Sequence, residues 1–161
     1  MDLNMKPNWR EEITERYPGL LLRPNWRDPQ GPRVPVYLGV GDGWAPIIIK
    51  LVEDIHQIWL TLDPEEQHQT YVVQVKEKFG GLRFYMGRSN DTIRALIQAA
   101  ETSAEGVCEY CGAPGEVRSG SWLKTRCDAC EVQHQEKRKE EIAAYEARYK
   151  QQQEAKLSDR D

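Results

Sequence analysis

The chain spells Cys108-x2-Cys111-x15-Cys127-x2-Cys130, and these four are its only cysteines. A CxxC places two sulfurs on one tight turn, and two such turns joined by a short loop can close a tetrahedral shell around one ion. Four soft thiolates suit zinc and fill its shell without an open position, so the spacing predicts a structural zinc ribbon on Cys108, Cys111, Cys127 and Cys130. Gly106 and Gly112 flank the first knuckle and free the backbone to bend there, and Pro114-Gly115 carries the chain onward as a turn.

Two other uses of the cysteines compete. Disulfides need an oxidising compartment, and the opening residues Met1-Asp2-Leu3-Asn4-Met5-Lys6-Pro7 offer neither the basic nor the apolar region of an export leader. A redox CxxC belongs beside a βαβ pattern, whereas the two knuckles here flank a short hairpin, Val117 to Leu123. The expectation is a reduced, metal-bearing, cytoplasmic protein. His134, four residues past Cys130, is an alternative ligand, but four thiolates already complete the shell, so a solvent-facing helix position suits it better.

At 161 residues the chain has room for one modest core with appendages. The longest apolar stretch, Trp44 to Leu62, is interrupted by Lys50, Glu53, Asp54 and His56, which makes it an amphipathic helix and excludes a membrane span. The net charge of -4 is not that of a general polyanion binder, so any nucleic-acid contact must rest on local charge.

Pro-Asn-Trp-Arg occurs at 7–10 and again at 24–27, in different contexts. In the first copy Asn8 is placed to cap a helix, with Glu11 completing a capping box and Ile13 and Tyr17 on one face before Pro18-Gly19. The second runs into Asp28-Pro29-Gln30-Gly31-Pro32, which forbids a helix. Arg33 to Leu38 reads as an edge strand containing Pro35, followed by a glycine-rich turn, Gly39 to Gly43, into the Trp44 helix. That turn is GxGxG, lacks the spacing of a dinucleotide or P-loop fingerprint, and carries Asp42 where a phosphate would be repelled; a tight turn capped by Asp42 accounts for it.

The run Thr70 to Met86, folded at Gly80-Gly81, predicts a β-hairpin. With those turn residues, Phe79 faces Leu82, Lys78 faces Arg83 and Lys76 faces Tyr85. One face is apolar apart from Glu77, holding Val73, Val75, Phe79, Leu82, Phe84 and Met86; the other holds Gln74, Lys76, Lys78, Arg83 and Tyr85. Opposed Lys78 and Arg83 invite an anion, either a carboxylate of the same chain or the phosphate of a nucleotide-like ligand gripped by Lys76, Lys78, Arg83 and Tyr85. Asn90 or Asp91 caps a further helix to about Ser103. A long polar helix from Glu131 to about Leu157 carries a narrow Ile142, Tyr145, Tyr149 stripe, and Ser158 to Asp161 should fray.

Of the five tryptophans, Trp44 and Trp59 belong in the core, while Trp26 and Trp122 are candidates for exposure at an interface. The letters bring together no nucleophile, base and orienter, so no catalytic residue is named.

Gly41-Asp42-Gly43-Trp44, Val75-Lys76-Glu77-Lys78-Phe79-Gly80-Gly81-Leu82-Arg83-Phe84-Tyr85 and the two cysteine knuckles with Trp122 together resemble an uncharacterised family of small bacterial and phage proteins. The resemblance covers roughly residues 39–130. Its phage and mobile-element setting implies a regulator or antagonist of a host system, including antiviral defence.

These readings combine into an α+β protein with four segments. Residues 1–38 form an N-terminal arm, 39–105 a small hairpin-based sheet covered by helices, 106–130 a zinc ribbon, and 131–161 a polar helix. The expected function is noncatalytic binding of a host macromolecule, a host protein first. A receptor or sponge for a nucleotide-like phosphorylated ligand and a nucleic-acid-binding protein are the alternatives.

Overall fold

The computed structural model describes residues 8–158. Helix α1, Trp9–Arg16, starts at the first Pro-Asn-Trp-Arg copy as expected, but the Asn8 side chain makes no capping hydrogen bond. Trp9 and Arg10 of that copy reach Asp42 instead: the indole N–H donates at 2.9 Å and the guanidinium at 2.7 Å. Tyr17 ends α1, and Pro18 opens a one-turn helix, α2, Pro18–Leu21, because its fixed φ and missing N–H are harmless at a first helical position.

The single strand expected over 33–38 is two short strands. Strand β1, Leu22–Arg23, pairs antiparallel with β2, Val34–Pro35, and β3, Leu38–Gly39, leaves that ribbon to pair in parallel with β4, Val72–Lys78. After β3 a single 3-10 turn, Asp42–Trp44, leads into α3, Ala45–Trp59. A short helix absent from the sequence expectations, α4, Pro64–Gln69, follows; Asp63 caps it by accepting the Glu66 N–H at 2.8 Å. Strand β5, Gly81–Met86, completes a three-stranded sheet of order β3-β4-β5. Helix α5, Asp91–Ala104, starts with Asn90 accepting the Ile93 N–H at 2.9 Å, as expected.

Helix α3 buries Ala45, Ile48, Leu51, Val52 and Ile55, one stripe at helical spacing. It packs on α5, and α5 packs on β5. Trp44, Leu38, Val72, Val75, Leu82 and Phe84 share one core with Trp9, Ile13, Tyr17, Leu20 and Leu21, so the segment before residue 39 contributes directly to it. Both edges of the sheet are closed by side chains. Arg10 donates to the carbonyls of Leu38 and Val40 beside β3, and Glu101 accepts the Phe84 N–H of β5 at 3.0 Å.

The hairpin register corrects the expectation. The turn residues are Phe79-Gly80, not Gly80-Gly81: Lys78 faces Gly81, Glu77 faces Leu82 and Lys76 faces Arg83. Phe79 has φ +54 and Gly80 φ +79, the two left-handed residues of a mirror-image turn whose twist matches the strands. The partner register moves by two positions, which preserves parity, so Val75, Leu82 and Phe84 still face inward. Phe79 does not; it sits on the tip, 71% exposed. A bulge between Val72 and Gln74 buries Val72 and leaves Val73 outside, which is why Val73 is missing from the apolar face.

Strands β6, Glu116–Arg118, and β7, Lys124–Arg126, form the small ribbon hairpin. The boundary between two compact units falls after Cys127. The second consists of helix α6, Asp128–Ser158, with every side chain from Val132 to Lys156 exposed, His134 among them. Within α6 the rings of Tyr145 and Tyr149 stack 6.4 Å apart, and Lys137 approaches Glu141 to 4.0 Å. Expected fraying at 159–161 lies outside the described residues.

A phenylalanine at φ +54 carries a backbone cost of about 1 kcal/mol that asparagine largely avoids. Phe79→Asn should therefore raise unfolding stability by ~0.5–1 kcal/mol in urea titrations.

Candidate functional site

The four cysteines come together in one cluster. The Sγ atoms of Cys108, Cys111, Cys127 and Cys130 all lie within 4.8 Å of one another, an arrangement that can hold a metal ion. It is the one such cluster among the described residues. Gly112 at φ +79 closes the first knuckle, its N–H donating to the Cys108 carbonyl at 2.9 Å. Burial alone would raise the Cys108 thiol, but the backbone N–H groups of Cys127, Cys111 and Tyr110 point at its sulfur and lower it to about 6. A thiolate is thereby favoured near neutral pH, which is the form a metal requires.

The Gly-Asp-Gly-Trp turn is the seat of this knuckle. The Gly43 N–H donates to the Glu109 carbonyl at 2.7 Å, the Gly41 N–H donates to the Glu109 carboxylate at 3.1 Å, and the Trp44 indole N–H donates to the Val107 carbonyl at 2.9 Å. A Cβ on Gly43 would run into the Cys108 carbonyl and the Gly112 nitrogen, both backbone atoms that cannot move aside. Asp42 does not cap the helix as expected; its carboxylate holds Trp9 and Arg10, and those hydrogen bonds lower its pKa.

The ribbon is tied to the sheet hairpin by a buried ion cluster that sequence spacing concealed. Lys124 donates to Glu77 at 2.8 Å and to Glu109 at 3.1 Å, and both carboxylate side chains are only 4% exposed. Glu77 also accepts the Gly80 N–H at 2.7 Å and the Trp122 indole N–H at 3.2 Å, while the Thr125 hydroxyl donates to the Gly80 carbonyl at 2.6 Å. One ammonium shared by two acids leaves a negative excess, which these neutral N–H donors offset. The only sequence sign of the cluster was Glu77 on an otherwise apolar face.

Of the residues predicted to grip an anion, Lys76, Arg83 and Tyr85 lie on the outward face of the sheet. Lys76, not Lys78, stands opposite Arg83, and Lys78 sits at the tip with its ammonium 5.3 Å from the Phe79 ring centre. No carboxylate among the described residues pairs with Lys76, Lys78 or Arg83, so the intramolecular acid that would have explained them is missing there. Trp26 and Trp122 are exposed and Trp44 is buried, as expected, whereas Trp59 is only partly buried. His68 Nδ1 meets the Arg33 guanidinium at 3.2 Å, and His56 lies between Tyr17 and Trp59. No described helix is long and apolar enough to cross a membrane.

Gly43→Ala should weaken metal retention by about tenfold or more in chelator competition, although residue 43 contributes no ligand atom. Lys124→Met strands two buried carboxylates and should cost about 3 kcal/mol in chemical denaturation. For Glu77, burial raises the pKa, but hydrogen bonds from Lys124, Gly80 and Trp122 outweigh it and lower it below its ordinary 4.5. Its stabilising contribution is therefore full above pH 4.5 and lost as the pH falls through the lower folded value. Glu77→Gln should remove that part of the acid-limb dependence in denaturation at stepped pH.

Comparison with known proteins found no matching family model, no matching curated protein and no matching solved structure.

Proposed function

We propose that the four cysteines bind one structural zinc ion and that the protein is a noncatalytic binding module acting on a host protein. Support for zinc is the donor set: a tetrahedral shell with metal–sulfur bonds of about 2.3 Å spaces its sulfurs about 3.8 Å apart, and Cys111 and Cys127 approach to 3.6 Å. Four thiolates leave no vacancy for a substrate, so the ion supplies shape.

The observation that carries the partner surface is the exposed apolar tip beside the ribbon. Trp122 is 73% exposed, yet its indole N–H is fixed on Glu77. Phe79 projects from the hairpin turn and Val117 lies against Gly80 with its outer side exposed. A bulky aromatic held in a left-handed conformation is the kind of local cost that accompanies function. Large apolar anchors on a frame fixed from beneath lose little conformational freedom on docking, and this favours them as binding hot spots. The resemblance to phage proteins directs the proposal to the cytoplasm of a bacterial host, where the partner is regulated or antagonised, antiviral defence included.

Elemental analysis of the freshly purified, reduced protein should find one zinc per chain. Its removal should abolish amide protection at 124–126 while the helical core persists, because small zinc modules draw on the order of 10 kcal/mol of folding free energy from the metal. Pull-down from host lysate with the zinc-loaded protein should recover a partner whose binding falls about tenfold or more in a Trp122→Ala, Phe79→Ala double variant that keeps its zinc. Undiminished capture by that variant would sink the docking surface, and metal-free protein with an intact ribbon would sink the zinc assignment.

A further inference from the structure

The face of the β3-β4-β5 sheet turned away from the core has a chemistry of its own. In the parallel pair Gly39 lies beside Lys76, and across the hairpin Lys76 lies opposite Arg83, so one row across the three strands ends in two cations. Directly opposed side chains stand about 5 Å apart. Arg83 donates one N–H to the Leu82 carbonyl at 2.8 Å, and its remaining donors have no acidic acceptor among the described residues. Lys78 adds a third cation at the tip. None of the outward positions on these strands, from Tyr37 through Tyr85, is acidic, in a chain whose net charge is -4.

Two aromatic residues lie next to this row, Tyr37 two residues before Gly39 and Tyr85 two residues beyond Arg83 and opposite Gln74. Tyr37 is 82% exposed and lies over Gly39, where a Cβ would come within 2.8 Å of its ring. The glycine thus provides the room that lets the tyrosine lie on the sheet. On the other side Tyr85 is exposed, with the Lys76 ammonium 5.7 Å from its ring centre. Neighbouring strands are about 4.8 Å apart, so Tyr37, just before β3, and Tyr85, on β5 opposite Gln74, stand about 10 Å apart across the sheet, with Lys76 on the strand between them and Arg83 two residues from Tyr85 on β5.

From this juxtaposition we infer that the outer sheet face binds single-stranded nucleic acid, with bases stacked on Tyr37 and Tyr85 and the connecting phosphates on Lys76, Arg83 and Lys78. Stacking on a tyrosine requires a base whose face is free, which a duplex does not offer. An isolated nucleotide gains most of its affinity from burial in a concave pocket, and an open sheet face has no walls to bury it; a polymer compensates by adding contacts along the strand. This site shares no residue with the apolar tip described above and goes beyond that reading.

The test is fluorescence anisotropy of labelled eight-nucleotide oligothymidylate and oligouridylate with the zinc-loaded full-length protein at 50 mM salt. Binding should weaken with a log–log salt slope of about -2, three phosphate contacts at about 0.7 each. A Lys76→Ala, Arg83→Ala double variant should bind about tenfold or more weakly with a flatter slope, and Tyr37→Leu or Tyr85→Leu should each cost about tenfold. Duplex of the same length and free nucleoside monophosphate should compete at least tenfold less well. The Trp122→Ala variant should bind the oligonucleotides normally, so failure of the protein-docking reading leaves this outcome untouched. Absence of binding at 50 mM salt, wild-type affinity in the folded double variant, or equal competition by duplex or mononucleotide would each overturn the inference. Tyr37→Leu serves if the double variant does not fold, because that exposed ring lies on a glycine and supports no core packing.

Discussion

Glu109, the residue after the first cysteine, is the contact on which the arrangement of the ribbon depends. Its carbonyl accepts the Gly43 N–H, its N–H donates to the Thr125 carbonyl, and its carboxylate takes both the Gly41 N–H and Lys124. One buried residue therefore joins the metal knuckle to the turn that begins α3, to β7, and through Lys124 to the sheet hairpin. Two knuckles with four sulfurs between them have little apolar surface to bury, so their position must come from directional hydrogen bonds made in a dry setting, where an unmade bond is costly.

This explains why the two densest motifs of the chain lie far apart in sequence and together in space. Gly-Asp-Gly-Trp has the look of a loop for an anion, yet its glycines are small because the knuckle backbone passes against them, and its aspartate holds the N-terminal helix through Trp9 and Arg10. The hairpin segment divides its labour by face. Its inward side supplies Val75, Leu82 and Phe84 to the core and Glu77 to the ion cluster, while its outward side keeps Lys76, Arg83 and Tyr85 in solvent. The tip, where Phe79 accepts a left-handed backbone, belongs to neither face.

With a metal ion held by the four cysteines, such a construction would couple metal to surface. Trp122 and Val117 lie on the loop and strand that the cysteines close, and they meet the hairpin tip at Glu77 and Gly80. Release of the ion would free the ribbon to leave Glu77 and Gly80 and would disperse the apolar tip, whereas the outward sheet face rests on β3, β4 and β5 and would persist. The two proposed surfaces would therefore be separable in their dependence on a bound metal.

The sequence by itself determined the grouping of the four cysteines, the amphipathic α3, a helix start at Asn90 or Asp91, the long polar helix and the parity of the hairpin, because each follows from local spacing: two residues between cysteines, 3.6 per helical turn, two per strand. It did not determine the turn at Phe79-Gly80, the break between β2 and β3, or the ties of Asp42, Glu77 and Glu109. The ties of Glu109 were decided by distant partners, Lys124 fifteen positions away and Gly41 sixty-eight, and the start of β3 by its parallel pairing with β4. Spacing rules describe neighbours along the chain; a buried charge or a glycine without room for a Cβ is explained by whatever the fold brings against it, and only the tertiary structure supplies that.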